Sequence, residues 1–230
     1  MSLKNVIAID GPAASGKSTI AQRVADRLGG YYISTGNMYR AITYFAMCNG
    51  LEMSGEPDAA RMDGILKNLA LSYARDCKGK LNLLINGDSA DTEIRSPEVA
   101  KHVSKIAAMP NVRSWLIGKQ RDLALLGLVI MEGRDIGTVI FPDAKYKFFL
   151  TASPEVRARR RLAQAGETPA GATVASVAKE IAARDEMDSK REIAPLKKAD
   201  DAIFIDSSRM TIDEVVELIE SRIKGIPAGN

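Results

Sequence analysis

Val6-Ile7-Ala8-Ile9-Asp10-Gly11-Pro12-Ala13-Ala14-Ser15-Gly16-Lys17-Ser18-Thr19 decides how the rest of this chain is read. Val6 to Ile9 is a short, largely β-branched run that stops at Asp10-Gly11, as a fully buried parallel strand does. From Ser18 to Leu28 the apolar residues Ile20, Ala21, Val24, Ala25 and Leu28 recur at helical spacing, and Gly29-Gly30 ends the element. Between strand and helix, Gly11 to Ser18 is a full match to G-x-x-x-x-G-K-[ST]. Gly11 and Gly16 let the backbone curl so that N–H groups face inward, and the helix N-terminus adds partial positive charge at the same point. Gly11, Pro12, Ala13, Ala14, Ser15, Gly16, Lys17 and Ser18 therefore predict a polyphosphate cradle. In it Lys17 reaches the β- and γ-phosphates and the Ser18 hydroxyl takes a place on Mg²⁺, with Thr19 as the next helix residue.

Working outward, Tyr31 to Ile33 reads as a second strand, and Met38, Ala41, Ile42, Phe45 and Ala46 mark a helix stopped near Asn49-Gly50. The alternation of strand and helix then breaks. Between about 51 and 97 come a helical stretch, Ala59 to Leu69, and two alternating runs, Leu71 to Ala74 and Leu81 to Ile85, which predict a small α plus β insertion. Beyond Pro97 the pattern gives helices over Glu98 to Ala108 and Val112 to Leu126 and a strand over Leu128 to Met131 that runs into Glu132-Gly133-Arg134-Asp135. A strand over Lys147 to Thr151, an arginine-rich helix from Pro154 to about Gln164 and a mobile loop over Gly166 to Ala172 follow. A helix from Val174 to about Arg191, a strand over Ala202 to Ile205 and a helix from Ile212 to Ile223 complete the chain. The fold class is α/β, a parallel sheet covered on both faces, with ligands expected at the carboxyl ends of its strands.

At 230 residues the chain suits one domain with a small insertion. Its longest stretch without a polar side chain, Leu123 to Met131, falls far below the roughly 18 residues of a membrane span. The apolar run at Val6 to Ile9 is too short for a signal peptide, so a cytoplasmic location is expected, with no membrane partner. Cys48 and Cys77 lack metal-ligand spacing, and a single histidine, His102, removes zinc sites and most nucleophile–imidazole schemes. A net charge of +3 and 5% aromatic residues argue against a dedicated nucleic-acid binder.

No Asn-Lys-x-Asp guanine-reading segment is present. Arginines instead follow the later strand ends: Arg40, Arg113, Arg134, the run Arg157, Arg159, Arg160 and Arg161, then Arg184 and Arg191. That distribution suits a second anionic substrate. Arg157, Arg160 and Arg161 fall on one helical face and are candidates to close over phosphates, although a solvated basic face has the same pattern. Arg184, Asp188 and Arg191, at i, i+4 and i+7, line another face, either as ligands or as a salt-bridge ladder. Glu132 and Asp135 bracket Arg134 where a metal and a second substrate would meet.

These segments together resemble the bacterial cytidylate kinases of the nucleoside monophosphate kinase family. The likeness rests on GPAASGKST, on Ser34-Thr35-Gly36-Asn37-Met38-Tyr39-Arg40, on Ser104 with Arg113, on EGRDIGTVIFPDA from Glu132 to Ala144, and on Arg184-Asp185 through Arg191-Glu192-Ile193-Ala194-Pro195-Leu196. It implies a single P-loop kinase domain over 1–230, a three-layer fold with an acceptor-binding insertion at 51–97 and a mobile lid at 154–172. It further implies transfer of the γ-phosphoryl group of ATP to CMP or dCMP by a monomer, with Mg²⁺. Lys17, Arg134, Arg157, Arg160 and Arg161 would be catalytic, and Glu132 would hold Mg²⁺ through water beside Ser18. Thr35, Arg113 and Asp135 would face cytosine, Ser104, Arg184 and Asp188 the ribose, and Arg40, Arg134 and Arg191 the acceptor phosphate. Ser34 and Glu132 depart from the family pattern, standing where relatives often have Asp. A P-loop kinase for another small acceptor, using Asp10 or Asp135 as a base, and a non-catalytic nucleotide- or RNA-binding module are the alternative readings.

Overall fold

The computed structural model describes residues 5–77, 79–164, 168 and 171–223. β1 (Val6–Asp10) leads through the glycine-rich loop into α1 (Lys17–Leu28), then β2 (Tyr31–Ser34) and α2 (Thr35–Cys48). Every β1 residue is buried, which is why its sequence is apolar without alternation. Gly29 ends α1 in the left-handed conformation, its N–H donating to the Ala25 carbonyl.

The insertion contributes α3 (Ala59–Lys67), β3 (Leu71–Arg75), β4 (Leu81–Ile85) and a two-residue β5 (Asp88–Ser89), which form a separate antiparallel sheet in the order β3-β4-β5. A 3₁₀ turn at Glu93–Arg95 connects it to α4 (Pro97–Ala108) and α5 (Pro110–Asp122). Ser96 caps α4 through its hydroxyl, and both helices begin on a proline. The single helix expected over Val112 to Leu126 instead ends at Asp122 and tightens into a 3₁₀ turn at Leu123–Leu126, before Gly127 in a left-handed conformation. β6 (Val129–Gly133), a π-turn at Ile136–Ile140, β7 (Tyr146–Thr151), α6 (Pro154–Leu162), α7 (Val174–Lys190), β8 (Ile203–Asp206) and α8 (Ile212–Arg222) complete the order.

The main sheet is parallel throughout, in the order β2-β6-β1-β7-β8. Helices α1 and α8 pack on one face, around Ile7, Ile9, Val24, Phe148 and Val216, and the π-turn and the segment after it cover the other, around Ala8, Met131, Ile136 and Phe141. A third core joins the insertion to α2, α4 and α5 through Ile42, Met62, Ile106 and Leu116. The chain reverses its lateral direction at β1, between β6 and β7, so the carboxyl ends of β1 and β6 open on the crevice where such sheets bind ligands. Among the described residues no helix is long and apolar enough to cross a membrane. Most of the predicted Gly166 to Ala172 loop lies outside the described residues.

Candidate active site

Parallel register brings the strand ends together: Asp10 sits beside Gly133, and Ser34 beside Glu132. Gly11 has φ +151°, and a Cβ there would lie 2.0 Å from the Leu150 carbonyl oxygen of β7, so only glycine lets the loop leave β1. Gly16, at φ +95°, turns the loop into α1. Lys17 is buried and donates to the Pro12 carbonyl at 2.6 Å and to Ser15 Oγ at 3.2 Å. Burial, reinforced by the positive charge of Arg134, lowers its pKa to about 7.

Glu132 is buried at the end of β6 and accepts from Ser34 Oγ at 2.5 Å and Ser18 Oγ at 3.1 Å. Ser34 and Glu132, neighbours in register, thus touch each other through their side chains. Asp10, the other carboxylate at this edge, accepts from the Ile136 and Gly137 N–H groups at 2.8 and 2.7 Å. It braces the turn after β6, and burial raises its pKa to about 7 against the pull of those two N–H groups. Both its oxygens accept from backbone N–H groups, which gives it a bracing role in the turn.

The braced turn presents Arg134 and Asp135. Arg134 Nε donates to Asp188 Oδ2 at 3.0 Å. Asp188 is buried on α7, and its carboxyl is held below the usual range by Arg134, Arg184 and Arg191 against the opposing cost of burial. The arrangement therefore exceeds a helix-surface ladder, because it ties α7 to the end of β6. Asp135 pairs with Arg113 of α5, and Arg191 lies 3.5 Å from its other oxygen. Burial raises the Asp135 pKa while Arg113 and Arg191 oppose the rise. Arg113 is fixed further by the Ala107 carbonyl at 3.1 Å and by the Tyr39 ring, 5.6 Å away. Thr35, first residue of α2, donates its hydroxyl to the Glu132 carbonyl at 2.9 Å.

Lys17, Arg40, Arg95, Arg134, Arg161 and Arg184 line one small cavity of about 130 Å³ at the mouth of the loop. Arg40 is positioned by a 3.1 Å bond to the Ile94 carbonyl, across the junction with the insertion. Burial and then the charges of Arg134 and Arg40 push Arg184 down to about 9, and its buried Nε has no partner among the described residues. Crowded guanidinium groups, with the Nε of Arg184 unpartnered among the described residues, are what a phosphate would relieve. Ser104 and Arg184 share the wall of an adjoining cleft of about 510 Å³ between α4 and α7. The shared face expected for Arg157, Arg160 and Arg161 is divided differently, because α6 packs directly on the loop. Arg157 is buried and donates to the Ala13 carbonyl and to Asp185, and Arg160 donates to the Ser15 carbonyl and to Ser207. Of the three, only Arg161 lines the cavity.

Three features escaped the sequence. Arg95 lies in the 3₁₀ turn of the insertion, with no motif around it. Asp185 contacts the loop from α7 and was visible only as the neighbour of Arg184. On the far side of the loop a cleft of about 250 Å³ is lined by Thr19, Ile20, Arg160, Met210, Ile212 and Val215, whose apolar members read as ordinary helix core. For a metal, Ser18 and Glu132 offer hard oxygen donors, and no group of three or more His, Cys, Asp or Glu side chains converges among the described residues.

The family profile described as "Cytidylate kinase" matches residues 7–225. The chain is 44% identical over 220 residues to "Cytidylate kinase" of Streptococcus suis (strain 05ZYH33), covering 96% of both chains. It is 44% identical over 218 residues to "Cytidylate kinase" of Clostridium botulinum (strain Loch Maree / Type A3), covering 95% of this chain and 97% of that one. A solved shikimate kinase from Bacteroides thetaiotaomicron aligns over 95% of this chain and 98% of that chain at 13% identity and a TM-score of 0.45, which adds nothing to the topology described above.

Proposed function

The chain belongs to the cytidylate kinase family, and we propose from that premise that it moves the γ-phosphoryl group of ATP onto CMP or dCMP, giving CDP or dCDP and ADP. The observation that carries this reading is the junction of two sites at the ends of β1 and β6. The phosphate loop with Lys17 opens on a cavity lined with arginines, Arg134 among them, and the next residue, Asp135, forms a buried carboxylate–guanidinium pair with Arg113.

The donor polyphosphate lies in the loop from Gly11 to Thr19, its base in the cleft beside Ile20, Met210 and Ile212. The acceptor phosphate sits among Arg40, Arg134 and Arg191, the ribose at Ser104, Arg184 and Asp188, and the cytosine against Thr35, Arg113 and Asp135. Residues 51–97 act as the acceptor-binding insertion, and 154–172 as the lid. Mg²⁺ fits the oxygen donors Ser18 and, through water, Glu132. When bound with ATP it supplies charge that offsets the phosphates.

The acceptor phosphate has its second pKa near 6, so its oxygen is anionic at neutral pH and needs no general base. This agrees with the use of Asp10 as a backbone brace. What remains for the protein is in-line positioning and charge neutralisation of a loose transition state. Lys17, Arg134, Arg161 and Arg184 supply the charge, while Arg157 and Arg160 hold the loop that presents the donor. The test is ADP release against a panel of nucleoside monophosphates and small hydroxyl metabolites. CMP and dCMP should lead the panel, and turnover on a neutral hydroxyl compound in their place would overturn the assignment.

A further inference from the structure

Ala13, in the middle of the loop, is held by both of its backbone polar groups. Its N–H donates to Asp185 Oδ1 at 2.9 Å, and its carbonyl accepts from Arg157 Nη1 at 3.1 Å. The same Nη1 donates to Asp185 Oδ2, so a single ion pair clamps both sides of the residue. The next residue, Ala14, has φ +56°, a left-handed conformation that a side chain makes unfavourable. Such a conformation persists where its surroundings over-determine it. The clamp does this, together with the packing of buried Ala13 against Ala158 of α6 and Val177 and Ile181 of α7.

Asp185 also occupies a particular place on α7. Arg184 immediately before it lines the phosphate cavity, and Asp188, one turn on, pairs with Arg134 at the end of β6. A helix turn is stiff, so whatever fixes Arg184 and Asp188 fixes Asp185 as well. We propose that Asp185 is a positioning residue that couples the two substrates: an acceptor seated against Arg184 and Asp188 holds α7, and α7 through Asp185 holds Ala13 and the curl of the donor loop. This rests on the functional reading above. Linkage makes the effect reciprocal, so ATP must tighten the acceptor as much as the acceptor tightens ATP.

The experiment is calorimetric binding of a non-hydrolysable ATP analogue to the full chain, with and without saturating CMP. The wild-type protein should bind the analogue at least about fivefold more tightly when CMP is present, the low end of ordinary coupling. Asp185→Ala removes the bonds of Asp185 to the Ala13 N–H and to Arg157 and should bring the ratio to within twofold of one. Asp185→Asn keeps an acceptor for the Ala13 N–H and loses the charge opposite Arg157, so its ratio should fall between the two. If the alanine variant does not fold, the asparagine variant decides. A merely structural brace would lower the melting temperature and weaken both ligands while leaving the ratio at its wild-type value, and that result overturns the proposal, as does a wild-type ratio of one. Wild-type ADP release with CMP is measured in parallel. Its absence would defeat the functional reading, whereas normal release with an unmoved ratio would defeat only the role given to Asp185.

Discussion

The proposed donor cradle comes from nine consecutive residues, Gly11 to Thr19, whereas the proposed acceptor walls come from five separate places. Thr35 and Arg40 come from α2, Ser104 from α4, Arg113 from α5, Arg134 and Asp135 from the turn after β6, and Arg184, Asp188 and Arg191 from α7 and its end. The cradle is made of backbone shaped by glycine, so its chemistry is tolerant of side chains except at Lys17 and Ser18. The acceptor walls are made of side chains paired with one another: Arg113 with Asp135, Arg134 with Asp188, Arg191 beside Asp135. Single changes should therefore act differently on the two sides, on the rate of chemistry in the cradle and on the choice of substrate in the walls.

Lys17→Ala is the hardest blow to the cradle. In the proposed complex the ammonium sits where charge shifts between donor and acceptor, and loss of one such group costs about 10²- to 10³-fold in kcat. CMP binding, measured calorimetrically, should stay close to wild type, since the acceptor walls are intact. Near-normal turnover in this variant would break the distinction between the two regions at once.

That contrast also explains what the sequence discloses. A local motif carries its own geometry, so the strand, loop and helix around Gly11 to Ser18 are readable from glycine positions and hydrophobic period, as is the parallel sheet that follows. The acceptor positions needed the family likeness, because nothing about Arg113 and Asp135, 22 residues apart, announces a pair until parallel strands and α5 bring them together. The arginine run is only partly legible for a related reason. Helical spacing places Arg157, Arg160 and Arg161 roughly on one side, but only tertiary packing decides that Arg157 is buried against the loop, Arg160 bonds the loop while lining the cleft on its far side, and Arg161 lines the phosphate cavity. The π-turn at Ile136–Ile140, fixed by Asp10, had no periodicity to betray it.

The second test moves to the walls. Cytosine offers an amino group beside the N3 and O2 acceptors, which suits a carboxylate with a guanidinium, while uracil would turn a carbonyl toward the carboxylate. Losing a charged hydrogen bond and setting two acceptors together costs about 2 to 4 kcal/mol, or roughly 30- to 1,000-fold in discrimination. Asp135→Asn should therefore lower kcat/KM for CMP and narrow the CMP to UMP ratio. It also leaves Arg113 and Arg191 buried against a neutral amide, so the melting temperature should drop as well. An unchanged CMP to UMP ratio would move base reading away from this wall.

A third test returns to the cradle and uses pH. Burial lowers the Lys17 pKa from 10.5 to about 7, and a bound polyphosphate would favour its protonated form. ATP affinity should thus weaken by up to about tenfold per pH unit above 7, with proton uptake on binding, visible as a dependence of calorimetric heat on buffer ionisation. Lys17→Ala should flatten that slope. Stability responds in the opposite sense: between pH 7 and 10.5 the unfolded chain holds more protons at Lys17, so this group's contribution rises with pH. Asp10, raised from 3.8 to about 7, acts in a lower window: the folded chain holds the extra proton there, so its contribution is present below pH 3.8 and is lost as pH climbs from 3.8 to about 7. An ATP affinity independent of pH from 7 to 9 would remove Lys17 from the donor site.

The smallest effect belongs to Thr35. Its hydroxyl hydrogen is committed to the Glu132 carbonyl at 2.9 Å, so toward a ligand Thr35 Oγ1 can only accept. Against cytosine an acceptor there meets an amino donor, and against uracil it meets another acceptor. The residue therefore works in the same direction as Asp135, but as a neutral oxygen it contributes about 1 kcal/mol, or roughly fivefold. Thr35→Val keeps the branched shape, which matters because space is tight here: a Cβ on Gly133 would lie 2.5 Å from Thr35 Oγ1. The valine variant should lose about fivefold in kcat/KM for CMP and change little for UMP, whereas Thr35→Ser, which keeps the hydroxyl, should match wild type. If valine weakened both nucleotides alike, Thr35 would be a packing residue at the start of α2, and base selection would rest on the Arg113–Asp135 pair alone.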